Sequence, residues 1–201
     1  MLYLASRSPQ RAVLLTRAGI TFTVVDSTCD EETVDFSDPL VLARERARAK
    51  AAGAVLSMDQ RADKPVVVLG ADTVVALGGR IFGKPADRAD AVRILSLLQG
   101  TTHAVHTGHC CRRVDDGLRH EACEIATTHV TMRAMNRQEI EAYVGSGESE
   151  GRAGAYAIQE TGDRFVTTLQ GAWDTVVGLN VAMTAHLYRE CIGQWPTGYR
   201  A

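Results

Sequence analysis

The chain has 201 residues, of which 45% are hydrophobic and 23% are charged, and its formal net charge is −2. This length suits one domain or two small lobes and is enough to bury a core. The near-neutral charge excludes a general basic field, and neither a basic stripe nor interleaved aromatic residues are present, so we expect no nucleic-acid partner.

Cysteine usage and the N-terminus indicate a cytoplasmic protein. The five cysteines include the adjacent pair Cys110 and Cys111 but no CxxC spacing, which argues against a disulfide framework and a structural zinc site. We therefore expect free thiols. The apolar segment at residues 1–5 is too short for a signal peptide, and no segment approaches the roughly 20 apolar residues of a membrane span. No membrane association is expected.

Strands and helices alternate from the start of the chain. Residues 2–5 form a short apolar strand, and Ser8 with Pro9 begins a helix that ends at Gly19. Residues 21–25 are a β-branched strand. Asp38 and Pro39 repeat the capping signal and predict a long helix that reaches roughly Met58.

The apolar run at residues 66–69 predicts a central strand buried on both faces and ending at residues 70–73. A hairpin follows, with strands at 74–77 and 80–82 around the turn Gly78-Gly79.

The second half continues the alternation. Asp87 caps a helix closed by Gly100, and two long strands flank the turn signal Asp115-Asp116-Gly117. Asn136 caps a further helix, a strand lies near residues 165–169, and a last helix starts at about residue 181. The pattern predicts an α/β fold with a mixed sheet.

Asp72 is the strongest candidate for chemistry. It follows a buried strand, and ligands of open α/β sheets bind outside the carboxyl ends of strands. A carboxylate there suits a divalent metal ion or a water molecule, although a turn residue is the alternative. His103, His106 and His109 do not share one face of a strand, which disfavours a metal site among them.

Two segments add cations near this carboxylate. Residues 6–11 place hydroxyl groups, amides and Arg11 at the start of a helix, where anions are favoured. Lys84 lies in the rigid turn Gly83-Lys84-Pro85, although a solvated lysine is the alternative. No GxxxxGK[ST] motif is present. Cations around a carboxylate and metal are what a triphosphate requires, because they neutralise charge on the phosphoryl oxygens.

Six segments in chain order resemble motifs of the Maf family of nucleotide pyrophosphatases. They are LASRSPQR at 4–11, LARERA at 42–47, GADTVV with GKP at 70–75 and 83–85, GTTHAVHT at 100–107, AGAYAIQ at 153–159 and VGL at 177–179. The resemblance implies a single Maf-like domain, residues 1–201, with an elongated, two-lobed, mixed-sheet α/β fold resembling that of the Maf and ITPase proteins. A nucleotide cleft would lie between the lobes, and a homodimer is expected.

The resemblance also implies hydrolysis of a nucleoside triphosphate to its monophosphate and pyrophosphate, with Mg²⁺ or Mn²⁺. Asp72 becomes the general base or the metal anchor. Glu31 would support the metal or the base, although Asp30 and Glu32 flank it and the alignment could slip by one residue. The substrate-binding residues would be Ser8, Arg11, Glu31, Arg46, Lys84 and Gln159, with Gln159 beside the nucleobase.

The segment AGAYAIQ is similar to the branch of the family that acts on dTTP and UTP. Three departures from the family pattern stand out: Gln10 replaces an arginine, Arg46 replaces a lysine and Asn180 replaces a proline. Arg46 keeps the charge but not the shape of lysine, and Lys50 lies one helical turn further on. The alternatives are a pyrophosphatase for 7-methyl-GTP or other modified nucleotides, and a non-catalytic nucleotide-binding regulator of cell division.

Overall fold

The computed structural model describes residues 1–62, 64–114 and 120–200, which form a seven-stranded mixed sheet with helices around it. The strand order is β2-β1-β3-β5-β6-β7, and β4 pairs with the end of β3. The strands are β1 (Leu2–Ala5), β2 (Phe22–Val25), β3 (Val67–Leu77), β4 (Arg80–Phe82), β5 (Thr102–Arg113), β6 (Glu121–Met132) and β7 (Val166–Gln170). The prediction of a mixed α/β sheet is confirmed.

The described helices are α1 (Pro9–Arg17), α2 (Pro39–Ala52), α3 (Met58–Ala62), α4 (Arg88–Leu98), α5 (Arg137–Gly145), α6 (Trp173–Val177) and α7 (Val181–Ile192). Five of the described helices begin at the positions that the sequence indicates, whereas α3 and α6 were not predicted. Asp38, Asp87, Asn136 and Asn180 each accept a hydrogen bond from a first-turn amide, which stabilises the helix start. Ser8 precedes α1 but makes no side-chain cap.

The sequence had predicted that strand β3 ends at residues 70–73, and this bound is wrong. The strand continues through Asp72 to Leu77, because Asp72 pairs with Gly108 in a long antiparallel ladder with β5. The hairpin with β4 is thus an extension of the same strand. Asp72 therefore lies in the middle of a strand rather than at its carboxyl end.

The other edge of β3 is divided between two partners. Residues 67–69 pair with β1 in parallel, and residues 75–77 pair with β4 in antiparallel. Within the described chain, no strand pairs with residues 70–74 on this side. The gap leaves Asp72 and Thr73 accessible to the loop after β1, and it is here that cavities open.

Helix α2 lies directly against the sheet. A Cβ atom on Gly70 would overlap the carbonyl oxygen of Ala47, and one on Gly108 would overlap the carbonyl of Ala43. Two glycines in the sheet and small side chains on the helix thus permit contact between the two backbones. Helix α2 ends at Ala52 rather than near Met58, because Gly53 caps it. The carbonyl of Gly53 then accepts a hydrogen bond from the amide of Thr28 instead of from a further helical turn.

The hydrophobic core divides on either side of Asp72 along β3. Leu69 packs in a cluster with β1, α1 and α7, whereas Val75 packs in a cluster with α4, α5 and Phe165. A division into two lobes around one nucleotide cleft stays a prediction. Among the described helices, none has the length and apolar character needed to cross a membrane.

The cysteines depart from the expectation of free thiols. Cys110 and Cys123 are direct cross-strand partners on β5 and β6 and form a disulfide, whereas Cys29, Cys111 and Cys191 are free. Strand register created this pair, and residue spacing alone did not indicate it. The predicted turn Asp115-Asp116-Gly117 lies outside the described residues.

We expect Gly108→Ala to destabilise the protein by about 1–3 kcal/mol or more, because the added methyl group meets the backbone of α2. Thermal or urea unfolding measures the change. Gly145→Ala is the matched control, since Gly145 lies in a helix and an added Cβ meets no atom within 4 Å. Equal stability of the two variants would contradict the close helix–sheet contact.

Candidate active site

A buried ion-pair cluster forms where α2 crosses β3. The ammonium group of Lys50 lies 2.7 Å from Asp72 Oδ1 and 3.0 Å from Glu31 Oε1. Lys50 and Asp72 are 7% and 6% exposed, respectively, while the Glu31 side chain is 41% exposed. One lysine thus holds together two carboxylates that come from distant parts of the chain.

Glu31 is the member of the acidic run that reaches this cluster. Asp30 instead caps a 3₁₀ turn at Glu31–Thr33 by accepting the amide of Glu32. Burial tends to raise the pKa of Glu31, but Lys50, with Lys84 and Arg11, holds this pKa below its usual value. Glu31 is therefore ionised at neutral pH and available as an oxygen ligand.

The second carboxylate oxygen of Asp72 is buried and has no hydrogen-bond partner among the described residues. An unpaired buried carboxylate oxygen is costly. Hard divalent cations such as Mg²⁺ prefer oxygen ligands. This unpaired oxygen, together with Glu31, therefore fits a divalent metal ion.

Arg11 is fixed at the gap in β3. Its guanidinium donates to Gly178 O at 2.8 Å, to Ser6 Oγ at 3.0 Å and to Thr73 Oγ1 at 3.3 Å. Burial lowers its pKa, and the charges of Asp72 and Glu31 oppose this shift. These contacts orient the planar guanidinium before any ligand binds, which favours recognition of an anion.

Two adjoining cavities surround this group and share Ser8 and Arg11. The first is lined by Asp72, Thr73, Lys84, Arg152, Tyr156 and Gln159 among others. The second is lined by Ser6, Ser27, Cys29, Glu31 and Lys50 among others. Arg11 and Ser8 therefore line both the cavity that contains Asp72 and the cavity that contains Glu31.

Lys84 and Gln159 belong to loops that are tied to each other. The amide of Gly154 donates to the carbonyl of Gly83 at 3.1 Å, and Gly154 has a positive φ of 73° that suits glycine. Lys84 is exposed and Gln159 is half-buried. Both side chains line the first cavity, so the structure brings together two predicted residues that are 75 positions apart.

Arg46 is not among the residues that line these two cavities. It is half-buried, and its Nε donates to the carbonyl of Val34 at 3.1 Å. Lys50, one helical turn later, instead reaches Asp72. The substrate-binding role predicted for Arg46 stays a prediction. Lys50 had been noted in the sequence only for its place one helical turn beyond Arg46, and Arg152 had not been selected.

The three histidines of β5 are committed to separate partners. His103 Nε2 bonds to the Tyr156 hydroxyl, and His109 Nε2 accepts the amide of Asn180. Burial lowers the pKa of His103 to about 4, and burial with Arg11 lowers the pKa of His109 to about 3. Among the described residues these rings form no metal-ligand cluster.

Comparison with known proteins places the chain in a family. The family model described as "Maf-like protein" matches residues 1–191. A dTTP/UTP pyrophosphatase of Anaeromyxobacter dehalogenans (strain 2CP-C) is 42% identical over 192 residues, which cover 94% of this chain and 92% of that protein. The dTTP/UTP pyrophosphatase of Dechloromonas aromatica (strain RCB) is 39% identical and covers 94% and 96%, respectively. The chain therefore belongs to the Maf family.

Proposed function

We propose that this protein is a metal-dependent nucleoside triphosphate pyrophosphatase that converts dTTP and UTP to their monophosphates and pyrophosphate. The observation that carries the proposal is the buried, unpaired oxygen of Asp72 beside the Lys50–Glu31 pair, in a cavity that Arg11 also lines. The printed names of the relatives support the reaction and the choice of nucleotide.

The cations of the cavity suit a triphosphate. Arg11 offers a fixed planar donor, Lys84 an exposed ammonium, and Ser8 a hydroxyl at the same wall. These groups are expected to bind phosphoryl oxygens and to offset the negative charge that develops on them during hydrolysis. Three hydrogen bonds already fix the orientation of the Arg11 guanidinium. Substrate binding therefore has to restrict this side chain only slightly further.

Asp72 is the residue to which we assign the chemistry. Its oxygen Oδ2 is buried and unpartnered among the described residues, and it is suited both to accept a proton from water and to ligate a metal ion. Together with Glu31 it would hold Mg²⁺ or Mn²⁺, which neutralises charge on the phosphates when bound. Lys50 lies between the two carboxylates and limits their mutual repulsion.

Gln159 is proposed to contact the nucleobase. It lies at the junction of the first cavity with a further cavity, which is lined by Val13, Ile158 and Trp173 among others. An amide offers both a donor and an acceptor, which suits the polar edge of a pyrimidine. Assembly as a homodimer and a cytoplasmic location stay predictions.

We expect the protein to release pyrophosphate with Mg²⁺ or Mn²⁺, and dTTP and UTP to lead a panel that also contains CTP and 7-methyl-GTP. Pyrophosphate and orthophosphate are assayed separately. Asp72→Asn removes the carboxylate and is expected to lower kcat by about 100-fold or more. Circular dichroism checks that the variant is folded.

The matched control is Asp90→Asn, since Asp90 forms an ion pair with Arg93 on α4 away from both cavities. Unchanged turnover by Asp72→Asn would refute the assigned chemistry. A folded wild-type protein that binds nucleotide but hydrolyses no member of the panel would instead favour the non-catalytic regulator.

The roles of Lys50 and Arg46 can be separated by parallel substitutions. We expect Lys50→Gln to lower kcat/KM by about 100-fold, because two carboxylates lose their shared cation. Arg46→Gln removes the same charge one helical turn away and is expected to change kcat/KM little. Steady-state kinetics and thermal unfolding are measured for both. A larger kinetic loss in the Arg46 variant would restore the role predicted from the sequence.

A further inference from the structure

Arg152 borders the first cavity, and its guanidinium is held in place on two sides. Its Nη2 atom lies 3.1 Å from Glu160 Oε1. With the Gln10 amide oriented so that its oxygen faces Arg152, that oxygen accepts from Nη1 at 2.7 Å and from Nη2 at 2.9 Å. The Arg152 side chain is 23% exposed. The guanidinium is thus pre-oriented at the cavity wall rather than free in solvent.

Gln10 connects Arg152 to the start of α1. In the same orientation its amide nitrogen donates to Ser8 Oγ at 3.0 Å. Ser8, Gln10 and Arg152 all line the first cavity with Arg11. Gln10 itself carries no charge, but it draws a guanidinium from a distant loop to the position where α1 begins.

The loop that carries Arg152 is also tied to the loop that carries Lys84. The hydrogen bond from Gly154 N to Gly83 O joins them two residues after Arg152. Two cations from separate loops therefore face the same cavity as Arg11. The contact between Arg152 and Glu160 uses few of the five N–H donors of the guanidinium. That contact alone would not require Arg152 to face the cavity beside Lys84 and Arg11.

We infer that Arg152 binds the phosphates of the triphosphate substrate, with Gln10 as the residue that positions it. The inference rests on the proposed function and extends it to a residue outside the predicted set. Gln10 then orients the guanidinium without carrying a charge itself, and Arg152 supplies the positive charge at this wall of the cavity. A purely structural alternative is that the Arg152–Glu160 pair only closes the loop between them.

The test compares Arg152→Gln and Arg152→Lys with the wild-type enzyme, using KM and kcat for dTTP and UTP. Inhibition by pyrophosphate is measured in parallel. If Arg152 binds phosphates, Arg152→Gln raises KM by about tenfold for both nucleotides and weakens pyrophosphate binding by a similar factor. Arg152→Lys keeps the charge, and its KM and pyrophosphate inhibition are expected to lie between those of the wild type and Arg152→Gln.

A second substitution serves as rescue. In the double variant Gln10→Arg with Arg152→Gln, the guanidinium comes from position 10 instead, and we expect most of the affinity for pyrophosphate to return. Arg137→Gln is the matched control, because it removes an arginine whose exposed ion pair with Glu141 lies outside the cavity. A structural role would lower thermal stability without changing pyrophosphate binding, and a loss of binding that Gln10→Arg does not restore would contradict a role for the guanidinium charge at this wall.

Several outcomes would overturn the inference. Unchanged KM and pyrophosphate inhibition in folded Arg152→Gln would show that Arg152 binds no phosphate. A KM change confined to dTTP or to UTP would assign Arg152 to the nucleoside, whose base and sugar both differ between the two, instead of to the phosphates. If the wild-type protein hydrolyses no triphosphate, the proposed function fails separately, and calorimetric binding of pyrophosphate to wild type and Arg152→Gln still decides the role of Arg152.

Discussion

The close contact between α2 and the sheet is the constraint on which the site depends. Side chains at Gly70 or Gly108 would push the helix away from β3 and β5. Because the two backbones touch, the long side chain of Lys50 is confined and ends on Asp72 at 2.7 Å. Breaking a buried pair of this kind by removing one partner is strongly destabilising. The helix–sheet contact thus fixes the position of the Lys50 cation between Asp72 and Glu31.

The divided edge of β3 explains why a polar site can form in the middle of a buried strand. Between its partners β1 and β4, the residues around Asp72 have no neighbouring strand on that side within the described chain. Helix α1, which follows the short loop after β1, brings Arg11 into this gap, and Gly178 O and Thr73 hold the guanidinium there. Strand β5 supports the opposite edge without interruption. A rigid ladder on one side and loops on the other produce a fixed carboxylate beside an open cavity.

Local signals in the sequence predicted most of the elements, and long-range contacts account for the errors. Capping at Asp38 and Asn136 and the apolar run before Gly70 were correctly interpreted. The extension of β3 through Asp72 was missed because pairing with β5, rather than local propensity, maintains the strand. The pair Cys110–Cys123 likewise follows from strand register. Such contacts join distant positions, and no local pattern records them.

Local motifs likewise predicted several residues of the candidate site, whereas the others depend on long-range contacts. Asp72, Ser8, Arg11, Lys84 and Gln159 line one cavity, as their motifs had suggested, and Glu31 joins it through Lys50. Position along the helix separates the two cations of α2: Lys50 lies one turn further on and reaches Asp72, whereas Arg46 contacts the carbonyl of Val34. A register difference of one turn cannot be resolved from a list of charges. Arg152 was missed for a related reason, since only the folded loop brings it to Gln10.

The central claim is that the Asp72 cluster directs water to the α-phosphorus of a nucleoside triphosphate. A single-turnover reaction in water enriched in oxygen-18 tests it most directly, with mass spectrometry of both products. The account predicts that the label enters the nucleoside monophosphate and that the pyrophosphate remains unlabelled. Label in pyrophosphate, or release of labelled orthophosphate, would show attack at another phosphorus and contradict the account.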